Sequence, residues 1–462
     1  MLALSYVTAA AAMIAAALYL FLRLRLFLTT TTMLVGSLLL VYGPTSLGFT
    51  LSSGEYGLPI RLLIGENAWP SSMFPMMQAK IGNLEPVITA VNFSLALMYL
   101  GIVAGIESIN RLLPSRAAAT EAALADWGTL SVQDDMRNHR FLLVVICALF
   151  VLMLFFSIKE DHIGTIEHFF SIKGDNSARN LFRAHFGSSP NYWYRVVLSA
   201  VAPMLVIWGL LAGVLNRSWP LLLAAVLLFL VTMVGKVETL SKAPPAFFLL
   251  QIMLAALLVF MNKISWKIAL TGILVVSLVI YLTTRLIILF PPETSALGAV
   301  YSRIFEVENE TLVENFAVFP RLHPFLWGAN VRPIAMLMGV PYFPSFSLVA
   351  DTWYGNPDIT SPTLFIADAW ADFSYAGVVV FSIIAGAICR SIDIVFLARG
   401  KSVAGIAVLS ATFWGVLTLI TTALNIALFT GGLLLAPVLA AMLAATTRYM
   451  TRSPDAVGRP AQ

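Results

Sequence analysis

Apolar runs of near-bilayer length recur along almost the whole of this 462-residue chain and restrict what it can fold into. Crossing about 30 Å of hydrocarbon at about 1.5 Å per helical residue takes roughly twenty apolar residues. About eleven stretches have this character: residues 2–22, 27–48, 86–106, 141–158, 196–214, 220–235, 246–261, 268–290, 376–397, 403–421 and 424–447. Inside hydrocarbon each backbone N–H and C=O needs an internal partner, so continuous runs of this kind are helices. Hydrophobic residues make up 59% of the chain and charged residues 11%, which leaves little for a water-solvated domain. The reading is an all-α polytopic membrane protein, one bundle over residues 1–462. The first run, Leu2 to Leu22, lacks a positive n-region and a small-residue cleavage site, and reads as a retained span.

Two polar segments, 159–195 and 291–375, are too long to be connectors and are where chemistry is expected. Lys and Arg near the span ends set the orientation. The short turns carrying Arg217, Lys263 with Lys267, and Arg399 with Lys401 all fall on one side, which is then cytoplasmic. Both long loops face the other side, which also carries Lys159, Arg195, Arg303, Arg321 and Arg332. A basic outer face calls for an explanation, and an anionic substrate supplies one. Cys147 and Cys389 lie inside apolar runs, so a structural disulfide is not expected, and no zinc-type Cys/His spacing occurs. The net charge of +4 contains no basic tract of the nucleic-acid-binding kind.

Within the second loop, Glu306, Glu310 and Glu314 recur every four residues. A solvated amphipathic helix on the membrane surface is the expectation for them. Arg303, which precedes this acidic face, either pairs with Glu306 or points toward the bundle. Arg321, His323 and Arg332 follow within a Pro-, Gly- and Trp-rich stretch, Pro320 to Pro333, that includes Trp327. Guanidinium groups bind phosphate oxygens bidentately, and imidazole moves a proton near neutral pH. Together they suit a site that grips a pyrophosphate and deprotonates a hydroxyl, although His323 equally suits a turn before Pro324. Lys236 and Lys242, in the segment Gly235 to Pro245, read either as a clasp for a lipid phosphate or as lysines snorkelling from helix ends. Asp368 and Asp372 are four apart and share a helix face at the membrane edge. Charges at that depth tend to be paired, so they order the arginines or orient an acceptor sugar, with Arg285 as a partner.

The run Pro362, Phe365, Ile366, Asp368, Trp370, Asp372, Phe373 and Gly377, with the preceding Arg303…Phe319-Pro320…His323…Gly328, resembles the Wzy-type O-antigen and oligosaccharide repeat-unit polymerases of bacteria. Ser374 stands where that family often has Gly, Asp368 replaces Glu, and Asp372 replaces Asn. Leu240-Ser241-Lys242 is similar to a segment shared by these polymerases and O-antigen ligases, with Lys replacing Arg. The resemblance covers roughly residues 230–400 and implies a membrane glycosyltransferase of the C-type fold, with a large periplasmic loop containing short helices. It implies polymerisation of undecaprenyl-pyrophosphate-linked repeat units into O-antigen, capsule or exopolysaccharide at the periplasmic face of the inner membrane. It further implies transfer without metal or cofactor, a membrane-lipid environment, and a chain-length regulator as protein partner. On this reading Arg303, Arg321 and His323 are catalytic. Lys236, Lys242, Arg332, Asp368, Asp372 and Trp327 bind substrate. A ligase-like transferase and a polytopic transporter or flippase are the competing readings.

Overall fold

The computed structural model describes residues 1–52, 73–134, 139–172, 192–238, 243–261, 302–357 and 363–450, with isolated positions between 263 and 278. Among the described residues the regular elements are helices, joined by two isolated bridges. Eight helices are long and apolar enough to cross a membrane: Leu2–Arg23, Thr30–Leu51, Glu85–Leu112, His139–Lys159, Tyr192–Leu215, Trp219–Glu238, Phe365–Leu397 and Val403–Thr421. The chain is thus a multi-pass, membrane-embedded helical protein.

Two of the eleven expected spans differ. The stretch 246–261 is a shorter apolar helix, Pro244–Phe260. The stretch 424–447 divides into Leu424–Phe429 and Leu435–Met450, because Gly432 takes φ +78°, which no helix interior allows. The stretch 268–290 lies almost wholly outside the described residues. The ninth expected span, 376–397, begins just after an interruption at Phe373 and Ser374 in the helix Phe365–Leu397.

Two units make up the chain. The first comprises Met1–Leu112, Lys263–Arg390 and Leu417–Ile426. Its N-terminal helix packs along Glu85–Leu112, where the buried Asn92 amide donates to Ser5 Oγ at 3.2 Å. Glu85–Leu112 in turn meets Phe365–Leu397 at backbone distance. A Cβ placed on Gly105 would lie 2.1 Å from the Ile383 carbonyl oxygen, and one on Gly386 would lie 2.3 Å from that of Ile102. Small residues permit this approach where lipid offers no hydrophobic drive to associate. Gly105→Ala normally favours a helix by about 1 kcal/mol. Here it is expected to lower the thermal midpoint of the detergent-solubilised protein, since the carbonyl cannot move aside. A raised midpoint would show that the helices are not in contact there.

The acidic segment is the largest departure from expectation. The helix Val307–Val318 does not lie solvated on a surface: Glu308, Asn309, Thr311, Leu312, Glu314, Asn315 and Phe316 are all buried, around its whole circumference. Its asparagine amide groups donate locally and across the unit. Asn309 Nδ2 donates to the Phe305 and Val41 carbonyls at 2.7 and 3.1 Å, and Asn315 Nδ2 to the Thr311 carbonyl at 2.8 Å. Glu306 falls in a preceding π-helical turn, Ser302–Glu306, so the expected four-residue acidic register is broken at its start.

The second unit comprises Leu113–Asn262, Ser391–Val416 and Ala427–Gln462. Its helices His139–Lys159, Tyr192–Leu215 and Trp219–Glu238 pack together. Trp127, fully buried, donates its indole N–H to the Leu258 carbonyl at 2.8 Å. Lys401 reaches the Trp127 and Leu130 carbonyls at 3.4 and 3.3 Å. Lys236 corrects an expectation. The helix runs on to Glu238, so Lys236 sits in its last turn rather than in a surface loop, and only 3% of it is exposed. Its ammonium lies 5.4 Å from the Phe248 ring centroid and 5.9 Å from that of Trp414, a cation–π setting inside the unit rather than a clasp at the lipid surface. Lys242 lies outside the described residues.

Candidate functional site

In the first unit the Pro/Gly-rich loop is built on the start of Phe365–Leu397. That helix is interrupted at Phe373 and at Ser374, whose φ of +56° with ψ of −147° is a conformation glycine tolerates and serine does not. The chain after the interruption passes so close to the first segment that a Cβ on Gly377 would lie 2.2 Å from the Ala369 carbonyl oxygen. The spacing of Asp372, Ser374 and Gly377 is therefore a backbone requirement. Ser374→Gly removes strain of roughly 1–3 kcal/mol and adds back about 0.5–1 kcal/mol of unfolded-chain entropy. It is expected to raise the thermal midpoint; a lowered midpoint would count against the observed conformation.

Interrupting the helix leaves its first two turns free to hold the loop. Asp368 and Asp372 share one face there, as their spacing requires, and both are buried. Asp372 Oδ1 accepts from the backbone N–H of Gly328 at 2.9 Å and of Asn330 at 3.3 Å. Asp368 Oδ1 accepts from Asn330 Nδ2 at 2.7 Å and from the Ser345 hydroxyl. Asn330 Oδ1 closes the ring by accepting from Ser345 N–H at 2.8 Å. Backbone bonds from Leu326 N to Ala371 O at 2.9 Å and from Trp327 N to Asp372 O at 3.1 Å extend the clasp. Among the described residues the two aspartates thus hold the loop through its backbone N–H groups and the Asn330 and Ser345 side chains, where the expectation is ordering of the arginines or orientation of an acceptor sugar. Arg285 lies outside the described residues. Trp370, on the same short helix, stacks on Phe316 with centroids 4.6 Å apart and donates to the Phe319 carbonyl at 2.9 Å.

Held this way, the turn after Val307–Val318 presents Arg321 and His323. The His323 N–H donates to the Val318 carbonyl at 3.1 Å, and its ring Nε2 stands 3.5 Å from Thr352 Oγ1. Arg321, exposed, reaches the Asn83 carbonyl at 3.3 Å. A third cation joins them: Lys80, also exposed, donates to the Thr352 carbonyl at 2.8 Å and lies 5.4 Å from the Trp353 ring centroid. Lys80, Arg321 and His323 therefore converge on the edge formed by Asn83 and Thr352. Beneath that edge, fully buried Glu314 accepts from the Tyr354 hydroxyl at 2.7 Å, while Trp353 Nε1 donates to the Glu314 carbonyl at 3.3 Å. Burial, and then the charge of Glu314, hold the Tyr354 phenol above its ordinary range, so it remains a donor.

Among the remaining expected residues, Trp327 and Arg332 make other contacts. Trp327 is 62% exposed with φ +50°, and the Arg332 guanidinium lies 5.5 Å from the Tyr342 ring centroid. Arg303 belongs to the π-helical turn, and its side chain is outside the described residues. Lys80 and Thr352 were not singled out from the sequence, from which Glu314 is expected only as part of a solvated acidic face. For Lys80 a signal existed: the stretch between the second and third spans is itself long and polar. Comparison with protein-family models, with curated proteins and with solved structures finds no match for this chain.

Proposed function

We propose that this chain is a membrane glycosyltransferase that polymerises undecaprenyl-pyrophosphate-linked oligosaccharide repeat units at the periplasmic face of the bacterial inner membrane. The observation that carries the reading is the convergence of Lys80, Arg321 and His323 on one edge, above a loop clasped to a membrane helix. In the proposed reaction an acceptor sugar hydroxyl attacks the anomeric carbon of the lipid-linked donor. The bond between that carbon and the pyrophosphate oxygen breaks, and the electron pair leaves with the lipid pyrophosphate. Arg321 and Lys80 stabilise the departing charge, and His323 takes the hydroxyl proton. Fixed cations aimed at a leaving group act without reorganising, which makes them effective catalysts. No sequence-derived role for Lys236 enters this scheme, since its ammonium faces Phe248 and Trp414.

A transporter is favoured by a different observation. The helix Phe365–Leu397 is interrupted, and buried Arg390 and Asp393 lie within it, with Arg390 Nε donating to Asn110 Oδ1 at 2.7 Å. Interrupted helices and ionisable groups at depth are common in transporters. Reconstituting the purified chain in vesicles with a lipid-linked repeat unit separates the readings. A ladder of longer lipid-linked glycans is the expected product. Movement of unaltered substrate across the bilayer, with no longer species, would replace polymerase by transporter. A single transfer onto a lipid core acceptor would indicate a ligase.

A further inference from the structure

The clasped loop ends in an apolar tip that no transfer chemistry requires. Its short helix, Arg332–Met338, has seven residues and cannot cross a bilayer. Yet Met336 is 77% exposed, Leu337 88% and Met338 52%, and Phe343 follows at 45%. An apolar ridge of this kind is not left in water without a partner. Nor is it a floppy excursion. Both of its stems are pinned, at Gly328 and Asn330 by Asp372 and at Ser345 by Asp368, and Phe343 N–H donates to the Ala329 carbonyl at 3.0 Å.

What covers the ridge follows from what it is continuous with. Trp327 at the loop stem contacts Phe325 with centroids 6.2 Å apart. Phe325 contacts Trp370 at 5.6 Å, and Trp370 contacts Tyr375 at 4.9 Å. Tyr375, 37% exposed, lies on the membrane-spanning helix, whose Val380 and Ile384 are exposed further along. The rings thus form an unbroken path from an exposed face of a span to the stem of the loop, at Trp327. Its composition matches a membrane interface, where Trp and Tyr sit at headgroup level and Arg extends toward phosphates. Arg332, over the Tyr342 ring, occupies that position.

We propose that residues 327–343 are an interfacial membrane anchor, with the Met336–Met338 ridge seated in the boundary between headgroups and acyl chains of the bilayer. The anchor fixes the loop carrying the basic edge at headgroup depth, and it stands whichever reaction the chain performs. The test is a fluorescence depth measurement on the full chain in phosphatidylethanolamine/phosphatidylglycerol nanodiscs. A bimane is attached at Leu337→Cys or, as a second reporter, Met338→Cys, with Cys147→Ser and Cys389→Ala removing the native thiols. Ser115→Cys, exposed beside Arg116, serves as the aqueous control. Lipid carrying a doxyl group near the top of its acyl chain should roughly halve emission at both tip positions, as expected for a side chain buried at the acyl boundary. Iodide in the buffer should quench them far less than the control. Iodide quenching equal to the control, without doxyl quenching, would place the tip in water and overturn the anchor. Protection from both quenchers would mean that protein covers the ridge, and would overturn it as well.

Discussion

Asp372→Ala is expected to release the loop from the membrane helix and to destabilise the first unit severely. The carboxylate is fully buried and accepts two backbone N–H groups, from Gly328 and Asn330. Hydrogen bonds to charged groups contribute about 1.5–3 kcal/mol each, and their loss leaves buried donors without partners. The loss therefore amounts to roughly 3 kcal/mol or more. Limited chymotryptic digestion in detergent should cut the variant at Leu337 and Tyr342 at least an order of magnitude faster than the parent. Asp372→Asn keeps the Oδ1 acceptor and should fall between the two. Equal digestion of all three proteins would mean that the aspartate does not hold the loop.

The second large effect concerns the basic edge. If Lys80 and Arg321 stabilise a departing pyrophosphate, then Arg321→Gln and Lys80→Gln should each reduce kcat for polymerisation by roughly 10²–10³, the scale of losing one fixed donor. Arg321→Lys should recover part of the loss, because an ammonium supplies charge without the bidentate fork. His323→Ala should cost about 10²–10⁴ if the imidazole accepts the hydroxyl proton. A purely structural role for Arg321, through its bond to the Asn83 carbonyl, would instead lower the thermal midpoint in Gln and Lys variants alike while leaving the kinetics of the surviving protein unchanged.

Particular residues show which features were legible before folding. The long spans were, because lipid demands continuous apolar runs and allows no other backbone solution. The shared face of Asp368 and Asp372 was, because an i,i+4 spacing fixes it. Their partners were not: Gly328, Asn330 and Ser345 contribute backbone N–H groups and short side chains from a distant loop, and neither composition nor period announces such bonds. The helix Val307–Val318 misleads by its glutamates. Its burial depends on tertiary partners such as the Val41 carbonyl and Tyr354, which override the polarity of the local sequence. Lys236 misleads in the same way, since snorkelling is the common fate of a lysine at a helix end, whereas here aromatic rings receive it. Lys80 was reachable in principle, from the length and polarity of the stretch that precedes Glu85.

The most direct test of the basic edge is a binding measurement that does not require turnover. Undecaprenyl pyrophosphate, titrated into the purified full chain in detergent, should bind the wild-type protein in a salt-sensitive manner, as contacts between cations and phosphates do. The Lys80→Gln/Arg321→Gln double variant, shown to be folded by its thermal midpoint, should bind at least tenfold more weakly, a loss of about 1.4 kcal/mol or more. Affinity and salt dependence indistinguishable from wild type in that variant would contradict the assignment of this edge as the pyrophosphate site.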